Sequence, residues 1–143
     1  MTQKTLKYSD ITEKMIGCAM KVHRNMRNGY VEAVYLKCLA IELKKAGLLF
    51  QTEVDHPIYY DGLVVGRRRV DFLVEGKIAV EIKALSEITD AHIAQGLNYL
   101  EVQQLEIGLL INFGAKSLQF KRLVNERKLM STKNRNPINQ INP

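Results

Sequence analysis

The stretch that most constrains this chain runs from Arg69 to Lys83, RVDFLVEGKIAVEIK. Val70–Leu73 and Ile78–Ile82 are rich in β-branched and aromatic residues, which suit a pleated, half-buried surface, and Glu75-Gly76 supplies a turn between them. Side chains alternate along a strand, so Glu81 and Lys83 share a face with Ala79, while Val80, Ile82 and Ala84 point into apolar packing. A core-type strand rarely carries two charges on one face without a reason. The preceding strand adds Asp71. Two carboxylates beside a lysine suit a divalent metal, which prefers hard oxygen ligands.

The rest of the chain sets bounds on this reading. At 143 residues it is long enough for one domain with a sizeable core. No apolar run is long enough to span a bilayer, and the polar N-terminus MTQKTLKYSD lacks a signal-peptide core. The chain is therefore expected in the cytoplasm, without a membrane partner. Cys18 and Cys38 both fall in helical patterns and read as reduced core thiols rather than a disulfide or metal pair. From Gly114 onward there are seven basic residues and one acid, so this segment carries the whole net charge of +6. A basic end can lie along a phosphate backbone, or serve only as a solvated tail.

In chain order, Asp10 and Glu13 have the spacing of a capping box at the start of a first helix. Ile11, Met15, Cys18, Ala19, Val22 and Met26 then recur at helical spacing, up to a stop near Asn28-Gly29. His23 reads as a surface or capping residue. A second helix is expected from Val31 to Ala46, with Glu32 and Tyr35 as neighbours on one face. Phe50–Tyr60 reads as a strand, edge-placed or bulged at Pro57. Asp61-Gly62 is a hairpin turn signal, Leu63–Val65 continues the hairpin, and Gly66 is expected to break it. Alternation puts Arg67 and Arg69 in phase with Asp71 and turns Arg68 away. A helix from Asp90 to Val102 carries His92, Gln95 and Tyr99 on one face. Ile107–Phe113 reads as a buried strand and Leu118–Val124 as a weaker one. Residues 1–127 are expected to form the domain and 128–143 a basic, polar tail. Helix, helix, antiparallel strands, helix, strand, strand describes an α/β sandwich around a mixed sheet of four or five strands flanked by helices.

The spacing Asp71, then Glu81-Ile82-Lys83, resembles the signature of the PD-(D/E)XK nucleases, with Val70 in place of the nominal proline. The order of elements resembles their restriction-endonuclease-like core over most of residues 9–125. Within that superfamily the chain resembles the GxxExxY family of small prokaryotic proteins. The resemblance rests on Gly29-x-x-Glu32-x-x-Tyr35, Arg69-x-Asp71, Glu81-Ile82-Lys83-Ala84, His92-x-x-Gln95-x-x-x-Tyr99 and Gly108-Leu-Leu-Ile-Asn-Phe-Gly114. Leu36 departs from it, since many relatives carry an acid there. Gln95-x-x-x-Tyr99 also resembles the helix motif of RecB-type nucleases.

The resemblance implies a metal-dependent nuclease hydrolysing phosphodiester bonds, with DNA as the expected substrate. Asp71, Glu81 and the backbone carbonyl of Ile82 would hold Mg²⁺, or Mn²⁺ in its place, with Glu32 adding a carboxylate directly or through water. Lys83 would assist the attacking water. Arg69, Gln95, Tyr99, Tyr35 and His92 would bind substrate or order the site. The bland alternative for Asp71, Glu81 and Lys83 is a structural ion network, which is a weak source of stability. The functional alternative is a catalytically silent module that keeps the fold and binds nucleic acid or another protein. With no separate recognition domain in evidence, a homodimer or a protein partner is an open route to substrate selection.

Overall fold

The computed structural model describes residues 7–133, and side chains through residue 130. Its elements are α1 (Ser9–Met26), α2 (Glu32–Lys45), β1 (Phe50–Tyr60), β2 (Leu63–Val74), β3 (Ile78–Lys83), α3 (Asp90–Gln103), β4 (Ile107–Asn112), β5 (Gln119–Val124) and α4 (Glu126–Lys133). The five strands form one sheet in chain order. All neighbours are antiparallel except β3 and β4, which run parallel because α3 carries the chain back between them. The result is the mixed sheet with flanking helices that the order of elements predicts.

The sheet separates two cores. Met15, Ala19 and Val22 of α1 and Tyr35, Leu39 and Leu43 of α2 pack with Phe72, Val80, Ile82, Leu109 and Ile111. On the other face Tyr99 and Leu100 of α3 pack with Val70, Ala79, Leu110 and Leu123. Being covered on both sides, β4 is buried at every residue, which explains its uninterrupted apolar run. Gly96 lets α3 lie close on β5, since a Cβ there would come within 2.4 Å of Leu123 Cδ1.

Several local expectations need correction. No Asp10–Glu13 box forms: helix α1 opens on Tyr8 in a left-handed conformation without a side-chain cap. The Tyr8 carbonyl instead accepts from the amides of Ile11 and Thr12. His23 is buried, and its Nε2 donates to the Ala115 carbonyl at 2.9 Å. It thereby ties α1 to the loop after β4. Gly66 does not end the hairpin, because the ladder absorbs the irregularity as a bulge: Ile58 pairs Gly66 while Tyr59 pairs Val64, leaving Val65 unpaired. Residues 128–133 continue as α4 rather than as tail. The Asn125 side chain starts that helix by accepting from the Lys128 amide at 3.1 Å. Residues 134–143 lie outside the described residues. Cys18 and Cys38 are both free thiols, as expected.

The irregularity that shapes the site lies at Glu53 and Asp71. The register of β1 with β2 is the same on either side of them, Thr52 with Phe72 and Val54 with Val70. Yet Glu53 sits at φ 52°. Val54 and Val70 pack with the α3 core, whereas Phe50, Phe72 and Val74 pack with the α1–α2 core. In a regular strand Val70 and Phe72 would share a face. The hairpin thus exchanges its faces at this point.

Candidate functional site

The β2–β3 ladder is paired from Val74–Ile78 to Phe72–Val80 and stops there. The next positions would set Asp71 opposite Glu81. Instead of a ladder bond, the Asp71 side chain reaches across, and its Oδ2 accepts from the Ile82 amide at 2.7 Å. The carboxylate therefore stands at the fork where two strands part. Asp71, Arg69, Ile82 and Ala84 from the strands and Glu32, Leu36 and Lys37 from α2 line a cleft of about 620 Å³, with Glu53 at its side.

The surroundings of Asp71 disfavour its charge. Burial pushes its carboxyl above the usual range, and the nearby Glu81 and Glu32 carboxylates push the same way. The Ile82 amide and Lys83 oppose them. Like charges gathered around a half-buried carboxylate are an arrangement that a cation relieves.

Glu81 is held from two sides. Its Oε1 accepts from Arg68 Nη2 at 3.2 Å, and its Oε2 lies 3.8 Å from Lys83 Nζ. Arg68 also donates to the Gln95 carbonyl at 2.7 Å and lies over the Tyr99 ring, 5.5 Å from its centroid. Alternation along β2 turns Arg68 away from Arg69 and Asp71, and Arg68 indeed stands outside their cleft. It lies on the α3 side with Val70, where it meets Glu81. Arg69 lines the cleft as predicted, but its ion-pair partner is Glu53, 3.8 Å away.

The other residues singled out from sequence divide sharply. Glu32 is exposed in the cleft beside Asp71. Tyr35 is fully buried. Its hydroxyl donates to the Arg27 carbonyl at 2.5 Å and accepts from the Tyr30 amide at 3.2 Å, and its ring stacks on Phe113. It clasps the turn between α1 and α2, thereby fixing the start of the helix that carries Glu32. Tyr99 is buried and its hydroxyl has no hydrogen-bond partner among the described residues; burial and Glu81 push it up to about 12, against Arg68. The Gln95 side chain is exposed, and only its carbonyl joins the network, through Arg68. His92 is engaged elsewhere: its Nδ1 accepts from the Thr89 amide at 3.1 Å and completes the N-cap of α3. The three positions share a face of α3, and of their side chains only Tyr99 is buried.

Three contributors escape a reading by pattern. Arg68 is hidden because its partners, Glu81 and the Gln95 carbonyl, are distant in sequence and stand on the face away from Asp71, and Glu53 lines the cleft from a left-handed backbone position. Asn112 is completely buried, with its amide bonded to the Leu85 amide and carbonyl, the Gly114 amide and Gln119. It anchors the chain that leaves Lys83. The signal for it is a polar residue ending a fully apolar strand.

The candidate donors are hard oxygens: the Asp71 carboxylate, which lines the cleft, the Glu81 carboxylate, which does not line it and meets Arg68 and Lys83, and the Ile82 carbonyl. Among the described residues no three His, Cys, Asp or Glu side chains come close enough to enclose a metal ion. Two carboxylates nevertheless fit Mg²⁺, which keeps several of its waters and is commonly held by one or two carboxylates. The crowded carboxylates around Asp71 favour the same cation.

The mixed sheet with its parallel β3–α3–β4 crossover, and acidic residues where β2 and β3 diverge, define an α/β protein with a restriction-endonuclease-like core. The model of the PD-(D/E)XK nuclease superfamily matches residues 9–123, and the chain belongs to that superfamily. Among solved structures it is similar to the crystal structure of SSO0001, at 18% identity and a TM-score of 0.51 over 72% of this chain. That likeness concerns the fold, and the matched region spans 56% of the other chain. A search of curated proteins finds no match. No helix among the described residues is long and apolar enough to cross a membrane.

Proposed function

We propose that this protein is a divalent-metal-dependent nuclease of the GxxExxY type that hydrolyses phosphodiester bonds of DNA. The observation that carries the reading is the fork itself, where the half-buried Asp71 carboxylate takes the place of a ladder bond by accepting from the Ile82 amide, among the charges of Glu81, Glu32 and Lys83. Asp71, Glu81 and the Ile82 carbonyl would hold Mg²⁺ or Mn²⁺, with Glu32 completing the shell through water. Phosphodiester hydrolysis needs a barrier lowered by on the order of 20 kcal/mol, to which a cation held there would contribute Lewis-acid stabilisation of the phosphoryl oxygens and a more acidic water.

The chain's own residues provide the remainder. Arg68 keeps Glu81 oriented, since it ties that carboxylate to the Gln95 carbonyl of α3. Lys83, beside Glu81, orients the attacking water and offsets the charge that develops on the phosphate. Arg69 and Lys37, which line the cleft, give the scissile strand two phosphate contacts. Tyr99 closes the α3 side against bulk water.

One observation favours a second reading, a binding module that keeps the fold: both Glu81 oxygens already face cations of the chain. The two readings separate in one experiment. Plasmid and end-labelled single- and double-stranded oligonucleotides are incubated with Mg²⁺ or Mn²⁺, with an EDTA control. Metal-dependent cutting that disappears in Asp71→Ala and Lys83→Ala is the expected result. Salt-sensitive binding without cutting by the folded protein would replace the nuclease with the binding module.

A further inference from the structure

The β1–β2 hairpin is longer than the sheet that supports it. Strand β3 pairs only with Phe72, Leu73 and Val74 of β2, so the hairpin beyond Asp71 has no third strand. Nor do its outermost residues join either core. Yet this projection carries Ile58, Tyr59, Tyr60, Leu63, Val64 and Val65, between 38% and 75% exposed. Tyr60 pairs with Leu63 and Tyr59 with Val64, so successive pairs place apolar side chains on both faces of the ribbon. A two-stranded hairpin standing alone is marginal in water. Nothing among the described residues covers this one.

We propose that a second copy of this chain covers the hairpin tip, giving a two-fold dimer in which the two hairpins pack together. Size and charge select this occupant. Taking roughly 150–200 Å² for a fully exposed large residue, the six residues present about 540–720 Å² of mostly apolar surface. That matches or exceeds the largest patch of an ordinary monomer and approaches the ~800 Å² per partner of a stable interface. From His56 to Gly66 the segment contains one acid, Asp61, and no lysine or arginine. The exposed cations at its base, Arg67 and Arg69, are paired with Asp55 and Glu53, so the tip itself offers no cation to nucleic acid or an anionic lipid surface. A nearly uncharged apolar patch meets its own copy across a two-fold axis without like-charge repulsion. The free edges strengthen this: among the described residues β1 has no neighbour on its outer side, and β2 none on its β3 side beyond Asp71, so backbone groups there are open to pairing with another strand.

The test is the mass of the full chain in solution, by sedimentation or light scattering between about 1 and 100 µM, for wild type, Y60K/L63K and Y59K/V64K. The substituted side chains are solvent-exposed, and circular dichroism verifies that each variant is folded. Twice the 16.3 kDa chain mass is expected for wild type, with dimer dissociation constants at least a hundredfold weaker in both variants. A wild-type monomer at 100 µM would overturn the proposal, including the case in which the tip binds an unrelated protein instead. A dimer unaffected by both pairs of lysines would overturn it equally, since the interface would lie elsewhere.

Discussion

Replacing Tyr35 by phenylalanine isolates one hydroxyl with two partners. The Arg27 carbonyl loses its donor at 2.5 Å and the Tyr30 amide loses its acceptor at 3.2 Å. The ring is fully buried and its stacking on Phe113, with centroids 4.8 Å apart, is retained, so no cavity opens. Two hydrogen bonds are lost and their backbone partners are left in partly buried positions. The expected cost is about 1.5–3 kcal/mol. For a domain of this size one kcal/mol moves Tm by roughly 3–4 °C. Thermal unfolding of Tyr35→Phe should therefore occur about 5–10 °C below wild type. Hydrogen exchange at the Tyr30 amide should accelerate by at least about tenfold, because local opening then costs less. Tyr30→Phe is the control: its ring is half-exposed, and an effect within about 0.5 kcal/mol is expected. A Tyr35→Phe protein within about 2 °C of wild type would refute the idea that this hydroxyl fixes the start of α2, and with it the account of how Glu32 is positioned.

Glycine substitutions should split by environment. A Cβ on Gly114 would come within 2.4 Å of the Leu85 backbone, so Gly114→Ala should cost at least about 2 kcal/mol in urea unfolding. Gly17 lies inside α1 with nothing within 4 Å of its would-be Cβ, and Gly17→Ala should stabilise by about 0.5–1 kcal/mol. Tyr99 gives a pH prediction. Its folded phenol is raised from about 10 to about 12, so the unfolded chain loses its proton first as pH rises. Stability from this group is full below pH 10 and declines between pH 10 and 12, by on the order of 2–3 kcal/mol. Tyr99→Phe should abolish that part of the decline in denaturant melts taken across this window. Finally, burial and the nearby Glu42 push the Cys18 thiol up, with Lys21 opposing. Iodoacetamide should modify Cys18 in the folded protein more slowly than in urea-unfolded chain at pH 8. Equal rates would contradict the packing of α1 against α2.

Legibility in the sequence followed the regularity of the backbone. Strands β3 and β4 were readable because their alternation and their apolar run are undisturbed, and with them the placement of Glu81 and Lys83 on one face. The Asp61-Gly62 turn was readable because both residues take positive φ, the conformation that such a pair favours. What failed was inference through irregular points. Parity counted along β2 places Arg69 with Asp71 and Arg68 on the other face, as the structure does, but it fails between Val70 and Phe72, which enter different cores because Glu53 at φ 52° and the fork at Asp71 exchange the faces there. No residue type at position 53 announces a left-handed backbone. The contact of His92 with Thr89 is hidden for a different reason: helical periodicity groups His92 with Tyr99 and does not show that a residue three positions into a helix also turns back to cap it. Asn112 and His23 show the same limit. Buried polar residues are legible only once their partners, distant in sequence, are known.

The central claim is that Asp71 and Glu81 hold a divalent cation at the fork of β2 and β3. The most direct measurement is Mn²⁺ binding followed by electron paramagnetic resonance, for wild type, Asp71→Asn and Glu81→Gln, without nucleic acid. The account predicts one saturable site per chain, weakened at least about tenfold in both variants, with Mg²⁺ in competition. Affinity unchanged in Asp71→Asn, or saturable binding absent from folded wild-type protein, would contradict it.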